Sequence, residues 1–259
     1  MSVQKSWSEL QTMARACRIV VDALDALEAA AGPGVTTREM DRIAREHIEK
    51  AGARPAFLGY RGYPATLCIS VNEEVVHGIP GPRKLREGDI VGLDLGCIVE
   101  GFFGDAARTV AVGQVGEGAQ RLMRVTRESL LAGIDVCRPG KRVGDIGHAV
   151  QTHAEGHGYS VVREFVGHGI GTSLHEEPQV PNYGPPGRRE RLVAGMCLAI
   201  EPMVNVGGAE VEVLPDGWTA ITRDRSLSAH FELSVAVTSF GPWILSEPYP
   251  YEQAEAANA

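Results

Sequence analysis

The chain reads as a mixed α/β protein built from two similar halves, each opening on a pair of helices, that share a β-sheet. Three observations carry this reading. A helix pair recurs, with Pro33-Gly34, Glu39-Met40 and Gly52 matched by Pro139-Gly140, Asp145-Ile146 and Gly158 at a constant offset of 106 residues. A long β-hairpin spanning Gly88 to Val112 lies between the two pairs. The last third alternates short apolar runs with loops rich in Gly and Pro. No linker-like shift in composition interrupts the chain, so one domain is expected over residues 1–246. The polar tail 247–259, ending EQAEAANA, is expected to be flexible.

Taken in order, Ser8-x-x-Gln11 fits a capping box, followed by Leu10, Met13, Cys17, Val20, Leu24 and Leu27 at helical spacing. That helix should end at Gly32-Pro33-Gly34. Thr36-x-x-Glu39 opens a second helix, whose Met40, Ile43, Ala44 and Ile48 share a face and which stops at Gly52. Loops rich in Pro and Gly (Gly59 to Pro64), a short strand (Thr66 to Val71) and another loop (Asn72 to Pro82) lead into the hairpin. The second helix pair is expected at Glu117 to Val136 and Val143 to Gly156, followed by a strand from Ser160 to Val166. Strands are then expected at Met196 to Val206, Glu210 to Leu214, Trp218 to Thr222 and His230 to Thr238.

The hairpin carries the first chemical signal. Its strands are apolar and β-branched except for Asp94 and Asp105, and Glu100-Gly101 suits the turn. A turn centred there puts Gly96 opposite Asp105 and makes Asp94 a diagonal neighbour of Asp105 on the same face. One Asp in such a strand is readily explained by hydrogen bonds to backbone amides. Two facing carboxylates, with no Lys or Arg in either strand before Arg108, repel each other and call for a cation.

Other parts of the chain supply companions. Gly167-His168-Gly169-Ile170-Gly171 lets backbone and imidazole approach a ligand closely. Glu201 ends an apolar run and is fixed by Pro202, and Glu232 lies inside another such run. His175-Glu176-Glu177-Pro178 adds an imidazole in a loop. Each alone is more often a satisfied core acid or a loop histidine. Together they form an oxygen-rich set suited to a pair of divalent ions such as Mn, Fe, Co or Zn. His153-Ala-Glu-Gly-His157 also resembles a metal pair, but Gly156 and Gly158 mark a helix end, where histidines favour the terminal carbonyls.

Composition bounds the alternatives. The 44% hydrophobic and 22% charged residues are those of an ordinary globular chain. A net charge of −8 argues against a nucleic-acid surface. The patches Arg83-Lys84-Leu85-Arg86 and Arg188-Arg189-Glu190-Arg191 read as solvated loops or as contacts to ribosome or substrate. Five scattered cysteines without a C-x-x-C fit a reducing compartment. With no signal peptide and no run of about 18 apolar residues, a cytoplasmic protein without membrane contact is expected. No P-loop, G-x-S-x-G or H-E-x-x-H motif occurs.

The segments YRGYPATLCISVNEEVVHGIP, GDIVGLDLGCIVEGFFGDAARTVAVG, GHGIGTSLHEEPQVPNYG, AIEPMV and TRDRSLSAHFE, in this order, resemble methionine aminopeptidases over nearly the whole chain. The 33 residues between His168 and Glu201 leave no room for the type II insert, so the likeness is to bacterial-style type I enzymes. The resemblance implies the pita-bread fold, two pseudo-symmetric α/β halves with a curved antiparallel sheet covered by helices. It implies that two divalent ions are held by Asp94, Asp105, His168, Glu201 and Glu232, with Asp105 and Glu232 bridging. His77, His175 and Glu201 would be catalytic: His77 on the substrate amide, His175 on the oxyanion, Glu201 in proton transfer. Tyr60, Tyr63, Cys68 and Trp218 would line the methionine pocket. Phe57 and Leu174 depart from the Cys and Phe of other members, and Phe103 from the His of F-H-G-D. The implied activity is removal of the initiator methionine from nascent chains with a small second residue, by a monomer. An Xaa-Pro peptidase of the same fold is the alternative, disfavoured because fewer than 60 residues precede YRGYP. A metal-free binding relative is disfavoured because all five ligand positions are filled.

Overall fold

The structure is a computed structural model that describes residues 4–251. Helix α1 spans Trp7–Ala30, α2 Thr37–Lys50, α3 Glu117–Asp135 and α4 Val143–Gly156. Both α2 and α4 have 14 residues, and they stand at the expected offset of 106. The box that opens α1 is Ser6 with Glu9, not Ser8 with Gln11. The Ser6 amide donates to Glu9 Oε2 at 2.7 Å and the Ser6 hydroxyl accepts from the Glu9 amide. A carboxylate beside the positive end of a helix is a better acceptor than the amide of Gln11. The predicted apolar stripe of α1 is buried throughout, against the hairpin.

A nine-stranded antiparallel sheet forms the centre, ordered Arg54–Pro55, Ile90–Val99, Phe102–Ala111, Glu232–Val237, Cys197–Ile200, Gly167–Gly169 and Glu176–Val180. Leu67–Val71 also pairs with Ile90–Val99, and Pro242–Ile244 with Glu232–Val237. The hairpin keeps the expected register without a bulge: Gly96 faces Asp105 and Asp94 faces Ala107. Two three-stranded sheets flank this one, Ser228–His230/Met203–Asn205/Ser160–Val161 and Val211–Val213/Ala220–Thr222/Glu74–Val76.

Several expectations are corrected. The strand from Ser160 stops at Val161, because Arg163 and Glu164 are exposed and break the buried run. Met196–Val206 is two strands split at Glu201-Pro202, where proline has no amide for a ladder. His230–Thr238 is likewise split at Phe231, so that chain and partner change sheets together. The loops at Asn72–Pro82 and after His175 contain the strands Glu74–Val76 and Glu176–Val180. The segment expected to be flexible from Glu247 makes contacts through Glu247, Tyr249 and Tyr251. Trp243 Nε1 donates to the Glu247 carbonyl at 2.9 Å, and the Tyr249 ring lies 4.7 Å from Trp7. The remainder of that segment falls outside the described residues.

Candidate active site

Register explains how the acids converge. Cys68 faces Asp94, Asp94 faces Ala107, and Ala107 faces Glu232, so one row runs across four strands. Asp105 lies two residues along from Ala107 and therefore on the same face. Glu201 follows Ile200, which faces Leu233, and the adjoining breaks at Pro202 and Phe231 bring Glu201 and Glu232 to the junction between two sheets. His168 reaches the group from the next strand. Its Nε2 lies 3.5 Å from Glu201 Oε1 and 3.9 Å from Asp105 Oδ2. Its Nδ1 donates to the Gly169 carbonyl at 2.9 Å, which leaves the Nε2 lone pair aimed at the acids. A Cβ on Gly169 would stand 2.4 Å from the Glu177 carbonyl oxygen, so only glycine fits there.

This cluster is electrostatically incomplete. Burial pushes the Asp94 carboxyl up to about 7. Burial, then Asp94 and Glu201, push Asp105 well above its usual range. Glu201 rises through burial and Asp94, and Glu232 through burial, Asp105, Glu201 and Asp94. Burial, reinforced by His175, lowers His168 to about 3. Asp94 Oδ1, Asp105 Oδ1 and Glu232 Oε1 are buried with no hydrogen-bond partner. Orphaned buried acceptors are costly, and a cation of high charge satisfies all of them at once. Four carboxylates and one neutral imidazole are the donor set of hard to borderline divalent ions, so the residues fit the metal that sequence chemistry calls for.

One residue of this cluster escaped the sequence reading. His230 is 3% exposed, and its Nε2 has no partner. That atom lies 3.8 Å from Glu201 Oε2 and 3.9 Å from Glu232 Oε2, so Glu201, His230 and Glu232 form a second ligand-like triad. Burial lowers it to about 3, with His77 adding to the effect. Its place two residues before Glu232 was the only available signal, and the break at Phe231 hid which face it takes.

The acids open into one cavity of about 150 Å³ that they themselves help to line, together with Phe57, Tyr63, Cys68, Leu174 and Trp218, a volume on the scale that holds a benzene-sized guest. Tyr60, Arg61, His77 and His175 complete its wall. The cavity thus brings together every site residue expected from the sequence. The wall is built on turns. Gly59 and Gly62 adopt positive φ around Arg61, itself at 50°, and His77 is held at 62°, a conformation uncommon for a side-chain-bearing residue and typical of functional sites. Behind His77, a Cβ on Gly78 would stand 2.1 Å from the Ile69 carbonyl oxygen. Tyr63 donates to the Gly78 and Leu67 carbonyls at 2.8 and 3.1 Å, and its ring packs edge-on against Trp218. The Tyr60 hydroxyl meets His175 Nδ1 at 2.8 Å, and the two rings stack at 5.3 Å. Burial brings His77 down to about 4; burial, then the Arg61 charge, lowers His175.

Comparison with known proteins agrees with this geometry. Residues 11–239 match the model of metallopeptidase family M24. A methionine aminopeptidase of Clostridium perfringens is 50% identical over 246 residues, covering 95% of this chain and 99% of its own. Crystal structures of methionine aminopeptidases from Thermotoga maritima (45% identity) and Rickettsia prowazekii (40%) each superpose with a TM-score of 0.94. They cover 96% and 95% of this chain and 100% of their own. A prolidase of Pyrococcus furiosus, at 22% identity, TM-score 0.77, and with 96% of this chain and 66% of its own covered, shares the fold alone. A metal-ready acid cluster beside a small apolar cavity, carried on this fold and this degree of identity, has one consistent reading: the chain belongs to metallopeptidase family M24 and, within it, to the methionine aminopeptidases.

Proposed function

We propose that this hydrolase removes the N-terminal methionine of nascent polypeptides whose second residue is small, as a monomer in the cytoplasm. The observation that carries the reading is the meeting, in one small cavity, of an unsatisfied acid cluster with an apolar and aromatic wall that suits an unbranched side chain. Asp94, Asp105, His168, Glu201 and Glu232 would hold two divalent ions (Co, Mn, Fe or Zn), with Asp105 and Glu232 shared between them. Bound there, such ions supply Lewis acidity, which makes water nucleophilic at neutral pH and polarises the scissile carbonyl.

The chain's own groups do the rest. Glu201, the cluster acid that also lies near His230, takes the proton of the attacking water and delivers it to the leaving amine. The Tyr60 hydroxyl lies 2.8 Å from His175 Nδ1; in the tautomer that accepts the hydroxyl proton there, Nε2 carries a hydrogen and can donate where negative charge develops. His77, neutral at physiological pH, orients the substrate amide. Tyr63, Cys68 and Trp218, with Phe57 and Leu174, enclose the thioether, a soft unbranched group that packs well against aromatic faces. A site crowded by the imidazoles of His77 and His175 would exclude large second residues.

The test is to strip the protein with chelator and assay Met-Ala-Ser against Xaa-Pro peptides while restoring Mn, Fe, Co or Zn. Methionine release that returns with metal and is lost in Asp105→Ala is expected. Cleavage confined to bonds before proline would overturn the substrate assignment, and a folded protein inert with every metal would overturn the catalytic one.

A further inference from the structure

The outer end of the second helix pair carries chemistry that peptide hydrolysis does not use. We propose that Glu128, His153 and His157 form a separate binding site for a single zinc-class divalent ion. None of the three lines the catalytic cavity. His153 and His157 are one turn apart at the end of α4, with ring centroids 4.6 Å apart, and Glu128 reaches them from α3. One ligand-type atom from each of the three lies within 4.8 Å of the others.

The sequence favoured a helix-end role for this histidine pair, and that contact exists: His157 Nδ1 donates to the His153 carbonyl at 2.8 Å. The same contact prepares a ligand. A ring whose Nδ1–H is bound to a carbonyl presents the Nε2 lone pair outward, the arrangement usual for metal-ligating histidine. His153 Nε2 lies 3.2 Å from Glu128 Oε2. Arg124 approaches the other carboxylate oxygen, Oε1, at 3.8 Å, so Oε2 remains on the imidazole side. Arg121 binds the His157 carbonyl at 2.8 Å and fixes the last turn of the helix rather than the ring. What separates this cluster from an ordinary i,i+4 pair is the third ligand from a neighbouring helix, which no sequence spacing reveals.

Zinc takes nitrogen and oxygen ligands at 2.0–2.2 Å in a tetrahedron, which places ligand atoms about 3.3–3.6 Å apart. Half-exposed side chains reach that spacing by small rotations, with the fourth position left to water. His148, Ala149, Thr152, Gly156 and Ala132 line a shallow groove at the imidazoles, so the site is open to ions from solvent.

The experiment counts ions. Chelator-stripped wild type, Glu128→Gln and the double variant His153→Ala/His157→Ala are titrated with zinc chloride by equilibrium dialysis and calorimetry. Wild type is expected to take up one zinc more than the double variant, and Glu128→Gln to bind that zinc at least about tenfold more weakly. Untagged wild type should be retained on nickel-chelate resin and the double variant should not. After reloading with manganese, all three should release methionine from Met-Ala-Ser equally. Equal zinc counts in wild type and double variant would overturn the proposal, as would an extra zinc that persists in the double variant. All side chains changed are partly or fully exposed, and matching far-UV spectra of the stripped proteins exclude unfolding as the cause of a lost ion. A failure of catalysis in all three proteins would bear on the active-site reading and leave the zinc count intact.

Discussion

The floor and the wall of the catalytic cavity are built in opposite ways. Asp94, Asp105, His168 and Glu232 stand on paired strands whose register places them, and Glu201 immediately follows such a strand. Tyr60, Arg61, His77 and His175 come from turns, two of them with left-handed backbone. The floor stands on paired strands and is electrostatically strained, with raised acids and lowered imidazoles. The wall is held by a few side-chain hydrogen bonds and ring contacts. Rigid charge belongs where ions must be gripped, and adjustable donors belong where substrate enters and transition-state charge appears.

This contrast predicts that floor variants lose the reaction while wall variants weaken it. Asp94→Asn should lower kcat/KM by about 10³-fold or more through lost metal chemistry. The same change should stabilise the stripped protein. The folded chain keeps a proton on Asp94 up to about 7, whereas an unfolded aspartate loses it near 4. The group's contribution therefore falls as pH rises through that window. The melting temperature of stripped Asp94→Asn should gain on wild type from pH 4 to 7, and excess metal should erase the gain. A constant difference across that range would break the picture of a strained floor.

His175→Ala removes one donor of the wall and should cost about 10²–10³-fold in kcat, as lost oxyanion donors do, with metal content unchanged by elemental analysis. A loss of bound metal in this variant would merge wall and floor. His230→Leu tests whether the unpartnered imidazole behind Glu201 and Glu232 belongs to the floor. About a tenfold loss of metal affinity is expected, the scale for outer partners of ligating groups, and unaltered affinity would remove His230 from the cluster.

The smallest effect is expected at Glu176. Its Oε1 accepts from the Thr172 and Ser173 amides at 2.8 and 3.3 Å, and its Oε2 pairs with buried Lys5, which ties down the loop that carries His175. Glu176→Gln should cost about 2–3 kcal/mol of stability, from hydrogen bonds to a charged acceptor. It should lower kcat only a few-fold and leave KM near wild type. An effect on kcat as large as that of His175→Ala would make the loop anchor part of the catalytic wall.

Much of this was readable without coordinates, where local rules decide. The hairpin register followed from Glu100-Gly101 and the alternation of apolar residues, because a one-residue slip would have put the two Asp residues on opposite faces. Helices α2 and α4 appeared with their bounds because Thr36, Gly52 and Gly158 are unambiguous end signals. The cap of α1 was misplaced by two residues because Ser6-x-x-Glu9 and Ser8-x-x-Gln11 satisfy the same pattern, and only charge separates them. The breaks at Glu201-Pro202 and Phe231 lie inside continuous apolar runs, which hydrophobic period cannot divide.

The sequence by itself thus determined the ligand types, the hairpin that pairs two of them and the helices that cover the sheet, because caps, turns and alternation act over a few residues. Tertiary structure alone decided that His230 faces Glu201 and Glu232, that left-handed Arg61 and His77 turn toward one cavity, and that Glu128 meets His153 and His157. Those meetings depend on where strands change sheets and how helices pack, and the free energy that fixes them comes from contacts between residues far apart in the chain.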